Sequence, residues 1–322
     1  MDDVAARAGV SRATVSRAFN GGHLVSTRAI EAIDRAVAET GYIVNQHARS
    51  LASHRSGSVV FILGEPQQRL TEDPNFNLLL TGCTQALADR DLTLTLAVSD
   101  AADVRRYVTG GQVDGALVVS AHAGNPIIDQ LRAYDVPLVV YGVPVGHQAD
   151  VVYVTADDRA GARQMVRHLH DTGRRTIATI AGPPDTTCGI QRLAGWRDTL
   201  GRRARQRLIA RGDFTCAGGQ AAMTQLLRTA PDLDAVFVAS DLMAAGAIAV
   251  LRRSGRKVPD DVAVGGFEDS AVATTVEPAL TTVRRPLSRM SAEMVRLLLD
   301  LIEGRPAMSV TLPTDLIIRD ST

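Results

Sequence analysis

Val10-Ser11-Arg12-Ala13-Thr14-Val15-Ser16-Arg17, preceded by Val4-Ala5-Ala6-Arg7-Ala8-Gly9 and followed by Ala18-Phe19-Asn20-Gly21, reads as a helix-turn-helix. Val4 and Ala8 lie one turn apart on a first short helix, and Gly9 permits the positive φ of a tight turn. Val10 and Val15 then pack beneath that helix. Ser11 is placed to cap the second helix, since its short side-chain oxygen reaches a free amide one turn on. With Val15 turned inward, Arg12, Ala13, Ser16 and Arg17 are left at or near the outer face, where a recognition helix carries its base-reading side chains. Between Val4 and Ile30 stand four arginines (Arg7, Arg12, Arg17, Arg28) and no acidic residue, although the whole chain balances 35 basic against 35 acidic groups. A local excess of that kind suits phosphate. The plainer alternative is a three-helix bundle whose arginines solvate one face.

Outward from this stretch, Ser26 is placed to cap a third helix running to about Thr40, with Ile30, Ile33 and Val37 closing a small core and Gly41 as its C-terminal cap. Residues 46–57 carry Arg49, Arg55, His47 and His54 without an acid, and Leu51 is their only large apolar side chain. Such a segment reads either as a free linker or as a short helix that forms on a polyanion. The length of 322 residues exceeds one typical core and suits a small head on a body of one or two α/β lobes. No apolar run reaches a membrane span and the N-terminus lacks the apolar core of a signal peptide, so a cytoplasmic protein is expected. Cys83, Cys188 and Cys216 are too widely spaced for a zinc site or a disulfide framework, and no metal or cofactor is expected.

Residues 3 to 56 resemble the DNA-binding head and hinge of the LacI/GalR family of bacterial repressors. The pattern D-V-A-x-x-A-G-V-S-x-x-T-V-S-R-x-x-N is matched from Asp3 to Asn20, and G-Y-x-x-N-x-x-A-R-S-L-A from Gly41 to Ala52. The resemblance implies that Arg12, Ala13 and Arg17 read bases and that Ser11, Thr14, Ser16, Asn20 and Tyr42 contact phosphate. It places Asn45, Ala48, Arg49, Leu51 and Ala52 in the hinge, with Leu51 wedged into the minor groove beside its copy from a second subunit. Two departures stand out. No capping threonine precedes Met1-Asp2, so the true start is expected slightly upstream, and Val44 replaces the proline common before the hinge asparagine, which loosens the hinge.

From Ser58 the chain alternates apolar runs (59–63, 92–98, 115–119, 137–141, 176–181, 235–239, 262–267) with helices such as Phe76 to Leu87, a pattern of parallel sheets covered on both faces. The family resemblance extends through Asp157-Asp158-Arg159-Ala160-Gly161, Gln191 to Trp196, Ala239 to Ala244, Gly265 to Asp269 and Leu280 to Pro286. The fold it implies is α/β: a helix-turn-helix head, residues 1–44; a hinge, 45–57; and a two-lobed periplasmic-binding-protein-like body, 58–322. Lobe 1 is expected at about 58–155 and 286–307, lobe 2 at about 156–285 and 308–322. Arg192, Asp241 and Glu268 are then expected to converge on a polyol, with Phe76 or Phe214 stacked on a sugar face and Ser240 and Arg285 nearby. For Arg285 alone a surface salt bridge is the stronger reading. Thr186 and Cys188 stand where the purine-binding branch has arginine and threonine, which argues against a nucleobase.

An enzyme is the competing class, but the chain has no Walker loop, G-x-G-x-x-G, H-E-x-x-H or G-x-S-x-G. His168 and His170 point to different helix faces, and Asp157-Asp158 and Glu268-Asp269 are element-end pairs. A periplasmic solute-binding protein would share the body but need a signal peptide in place of a basic head. The reading is a repressor of carbohydrate uptake or catabolism genes, binding double-stranded operator DNA as a homodimer under a sugar-like effector. A dimer is expected over a tetramer because no heptad segment follows the expected final strand, Leu312 to Arg319.

Overall fold

The computed structural model describes residues 1–19, 25–42, 55–98, 105–108, 111–120 and 122–322, the side chains of 105 and 106 excepted. In the head, α1 (Asp2–Ala8), α2 (Arg12–Phe19) and α3 (Thr27–Thr40) form for the local reasons the sequence suggests. Gly9 closes α1 at φ 63° and Gly41 closes α3 at φ 61°, both left-handed conformations that glycine adopts without strain. Ser11 Oγ accepts from Thr14 N at 3.1 Å, and Ser26 Oγ accepts from Ala29 N at 3.4 Å. The core is Val4, Ala5, Val15, Ile33 and Ala36, with Val10, Val37 and Tyr42 against it. Ala36 thus takes the place expected for Ile30, which sits half-buried at the helix margin.

The body has two parallel sheets. In the first lobe β1 (Ser58–Leu63), β2 (Thr93–Val98), β3 (Gly115–Val119), β4 (Leu138–Tyr141) and β5 (Val152–Ala156) stand in the order β5-β4-β3-β1-β2. Val59, Phe61 and Leu63 of β1 face one core, Val60 and Ile62 the other, so the strand is apolar throughout because helices cover both faces. In the second lobe β6 (Ile177–Ala181), β7 (Ile209–Arg211), β8 (Ala235–Val238) and β9 (Ala263–Gly265) stand as β7-β6-β8-β9. Trp196 is fully buried there, its indole N–H donating to Ile177 O at 3.2 Å.

The chain crosses between lobes after β5, again after β10 (Thr282–Arg284), and a third time between β11 (Val310–Leu312) and β12 (Asp315–Ile317). Helix Leu287–Ile302 returns to the first lobe, where Met290, Met294 and Leu298 pack at one-turn spacing. One boundary needs correction. Residues 308–322 were expected wholly in lobe 2, but Val310, Thr311 and Leu312 pair in parallel with Val154, Thr155 and Ala156 in the first sheet, while β12 pairs antiparallel with β10. The expected single final strand is therefore two, split because one half serves each lobe.

Gly161 marks where the crossings meet. A Cβ there would stand 2.7 Å from Thr314 Oγ1, 2.8 Å from Val283 Cγ1 and 3.1 Å from Phe267 Cζ. Gly161→Ala adds helix propensity, about 1 kcal/mol, but overpacks three neighbours at a typical cost of about 1–3 kcal/mol. A net loss is expected, read as a lower urea midpoint by the fluorescence of Trp196, the chain's single tryptophan; a raised midpoint would show that the crossings yield freely.

Candidate functional site

In both lobes the cavity lies outside the C-terminal strand ends, where open parallel sheets place ligands. Glu65 follows β1, Ser120 follows β3, and Tyr141 to Val143 end β4; from the other lobe come Thr186 to Cys188 after β6, Phe214 after β7 and Glu268 after β9. Arg69, Asp73, Asn75 and Phe76 close the first-lobe wall, and Arg285 enters from the second crossing. The empty space between the lobes is about 750 Å³, open solvent at the mouth included.

Behind this wall lies a buried charge network. Arg192 donates through Nε to Asp158 Oδ1 at 2.9 Å and through Nη1 to Ala239 O at 2.5 Å and Glu268 Oε1 at 3.3 Å. Its guanidinium lies 3.9 Å from the Phe267 ring centroid. Glu268 Oε2 accepts from Asn75 Nδ2 at 3.0 Å across the cleft, and the same amide donates to Asp73 Oδ1 at 2.9 Å. Arg69 Nη1 crosses likewise, to Phe214 O at 3.2 Å. Burial pushes Glu268 up to about 8 against the pull of Arg192, helped by the charges of Asp73 and Asp241. Burial also raises Asp73.

Of the residues expected here, Phe76, Phe214, Glu268 and Arg285 line the cavity. Arg192 does not; it is fully buried one layer back and positions Glu268. Ser240 and Asp241 also fall outside the lining. Ser240 Oγ caps its helix by accepting from Met243 N at 3.3 Å. Asp241 holds the crossing strand, accepting from Thr282 Oγ1 at 2.6 Å and Ser270 N at 2.8 Å. A helix's first turn points its side chains back at neighbouring backbone, and here that backbone is the crossover and not the cleft. Arg285 is buried, with its guanidinium 5.0 Å from the Tyr141 ring centroid, which overturns its surface reading.

Glu65, Arg69, Asn75 and Tyr141 went unnoticed in the sequence. Tyr141 alone left a signal, a polar-tipped residue at the C-terminal end of an apolar run. Among the described residues seven buried polar side-chain atoms have no hydrogen-bond partner, and four of them, Asn75 Oδ1, Tyr141 Oη, Arg192 Nη2 and Arg285 Nε, belong to this cavity or its backing. Such a concentration of unmet donors and acceptors is costly unless water or a polar ligand meets it.

In the head, Arg12, Ala13 and Arg17 are exposed along α2 and Thr14 and Ser16 half-exposed. Ser11 and Thr14 hydroxyls lie 2.8 Å apart, and Tyr42 stacks on Phe19 with centroids 6.1 Å apart. Asn20, Asn45, Ala48, Arg49, Leu51 and Ala52 lie outside the described residues.

Comparison with known proteins matches residues 1–45 to bacterial regulatory proteins of the lacI family and 166–322 to a periplasmic binding protein-like domain. The chain is 43% identical over 331 residues to the HTH-type transcriptional regulator CelR of Thermobifida fusca, covering 100% of this chain and 97% of that protein. It is 30% identical to the ribose operon repressor of Halalkalibacterium halodurans, covering 99% and 96%. Among solved structures, a complex of the transcriptional regulator CelR with cellobiose superimposes with a TM-score of 0.81 at 41% identity, covering 100% of this chain and 99% of that one. A lac repressor dimer bound to operator and the anti-inducer ONPF gives 0.84 at 27%, covering 99% and 98%.

The buried carboxyl of Asp241, raised by desolvation to about 7, ties stability to pH. A raised acid contributes stability that is fully present below its ordinary range, near 4, and is lost as pH rises through about 7. Urea midpoints at pH 5 and pH 8 should therefore differ more in wild type than in Asp241→Asn; equal differences would mean that Asp241 titrates as an exposed carboxyl.

Proposed function

The chain belongs to the LacI family of bacterial regulatory proteins, and on that premise we propose that it represses carbohydrate uptake or catabolism genes under a neutral disaccharide of the cellobiose class. It is a sequence-specific DNA-binding transcriptional regulator. The observation that carries the choice of effector is the set of unmet polar atoms around an aromatic cavity. Phe76, Tyr141 and Phe214 offer faces to the apolar side of a pyranose, while Tyr141 Oη, Arg285 Nε and Asn75 Oδ1 offer partners to its hydroxyls. Glu65, Asp73 and Glu268 against Arg69 and Arg285 leave the lining no formal excess of positive charge to draw a phosphate. A CelR regulator is solved with cellobiose bound, which supports the same class of sugar. The cavity is read as a binding site, not a catalytic one.

On DNA, Arg12, Ala13 and Arg17 read base edges, with Ser11, Thr14, Ser16, Asn20 and Tyr42 on phosphate and the hinge of each protomer in the minor groove, Leu51 as wedge. One head reads one half-site, so the working unit is a homodimer on a near-palindromic operator. Closure of the lobes changes the spacing of the two hinges and so the operator affinity.

Cellobiose should raise the unfolding midpoint and glucose 6-phosphate should not, because a ligand that binds the folded state alone stabilises it. Phe214→Ala should weaken cellobiose at least tenfold in calorimetry. No heat and no shift with millimolar cellobiose would overturn this effector. In gel-shift titrations Arg12→Ala and Arg17→Ala should each cost about 1–3 kcal/mol and relax one operator position, and an unchanged selected-site motif in both would overturn the orientation of α2.

A further inference from the structure

Glu65 lines the cavity from the first lobe, just beyond β1. Its Oε1 accepts from Ser120 Oγ and from His122 Nε2, the latter at 3.0 Å. The other ring nitrogen of His122, Nδ1, lies 3.0 Å from Asp185 Oδ2, and Asp185 belongs to the second lobe, beyond β6. The adjoining backbone reinforces the contact, Ala123 N donating to Asp185 O at 2.9 Å. One imidazole therefore bridges the lobes at the cavity's edge with a carboxylate on each nitrogen. Neutral imidazole carries a single N–H and serves one of them; imidazolium serves both.

We infer that Glu65 is a further effector contact, positioned by His122, and that closing the lobes onto Asp185 takes up a proton on that histidine. The contact rests on the sugar reading of the cavity. Among the described residues no bond falls on Glu65 Oε2, which leaves a carboxylate oxygen for a sugar hydroxyl, and such charge-assisted bonds are the stronger kind. Burial raises Glu65, but the bonds from His122 and Ser120 and the charges of His122 and Arg69 outweigh it, so the carboxylate stays ionised. The bond to Glu65 raises His122, burial opposes it, and Asp185 adds to the rise, to about 9.

The charged groups acting on the bridge are Glu65 and Asp185 directly and Arg69 through Glu65. A raised histidine stabilises the closed form fully below its ordinary value, about 6.5, and that stabilisation is lost as pH rises through about 9. Between those limits opening releases Asp185 and part of the proton, and closing takes it back.

The test uses the full chain with ring-labelled histidine. In an NMR titration without ligand the His122 signal, assigned by its loss in His122→Gln, should titrate near 9 and fall toward the ordinary value in Asp185→Asn. The disaccharide probe above, titrated calorimetrically against the full chain, reads the contact of Glu65. Glu65→Gln should weaken the disaccharide at least tenfold. A wild-type His122 titrating at its ordinary value overturns the proton-linked bridge, and wild-type affinity in Glu65→Gln overturns the contact. A disaccharide that fails to bind while His122 still titrates near 9 overturns the sugar reading instead and leaves the bridge standing.

Discussion

A fully buried guanidinium, that of Arg192, is the constraint on which the second lobe depends. An unpaired charge in an apolar interior costs several kcal/mol, a large share of a domain's stability, so the lobe depends on the partners that meet it. They come from distant parts of the chain. Asp158 opens the helix after the first crossing, Ala239 O lies just beyond β8, Glu268 follows β9, and the ring of Phe267 takes the guanidinium face. Glu268 is held at φ 114°, a conformation side chains rarely adopt, by its N–H donating to Val283 O at 2.7 Å on the crossing strand. Packing thus sets a cavity carboxyl in a strained backbone because the arginine behind it requires a partner.

The cleft is closed by different means. Arg69 to Phe214 O, Asn75 to Glu268, Thr187 Oγ1 to Val143 O at 2.6 Å and the His122 bridge all span the lobes, and every one is polar. Water replaces polar contacts at small net cost, whereas parting apolar cores does not come cheaply. The three crossings, packed around Gly161 with no room for a methyl, are the opposite case. The lobes are thus joined by tightly packed crossings on one side and by replaceable hydrogen bonds at the mouth.

Among the described residues the head buries five core side chains, too few for a large margin of stability. Gly9, Gly41 and the serine caps supply local definition in place of mass, and operator DNA, which binds the folded head, adds stability by mass action.

What the sequence determined by itself was whatever depends on near neighbours. The helix-turn-helix, its caps at Ser11 and Ser26, its glycine turns and the parallel alternation of the body were all legible, since spacing along the chain dictates them. Strands β5, β7 and β10 passed unread, short runs with no period of their own to set them apart from the loops around them, while β12 fell inside the expected final strand. Tertiary structure alone decided which polar residues meet. Asp241 and Ser240 stand at a strand end like Glu268, yet the crossing strand claims Asp241 and the helix start claims Ser240. Glu65, His122 and Asp185 come together from separate loops of two lobes, and Arg285 is buried by a crossing. Burial and long-range pairing are properties of the packed chain, and no local spacing encodes them.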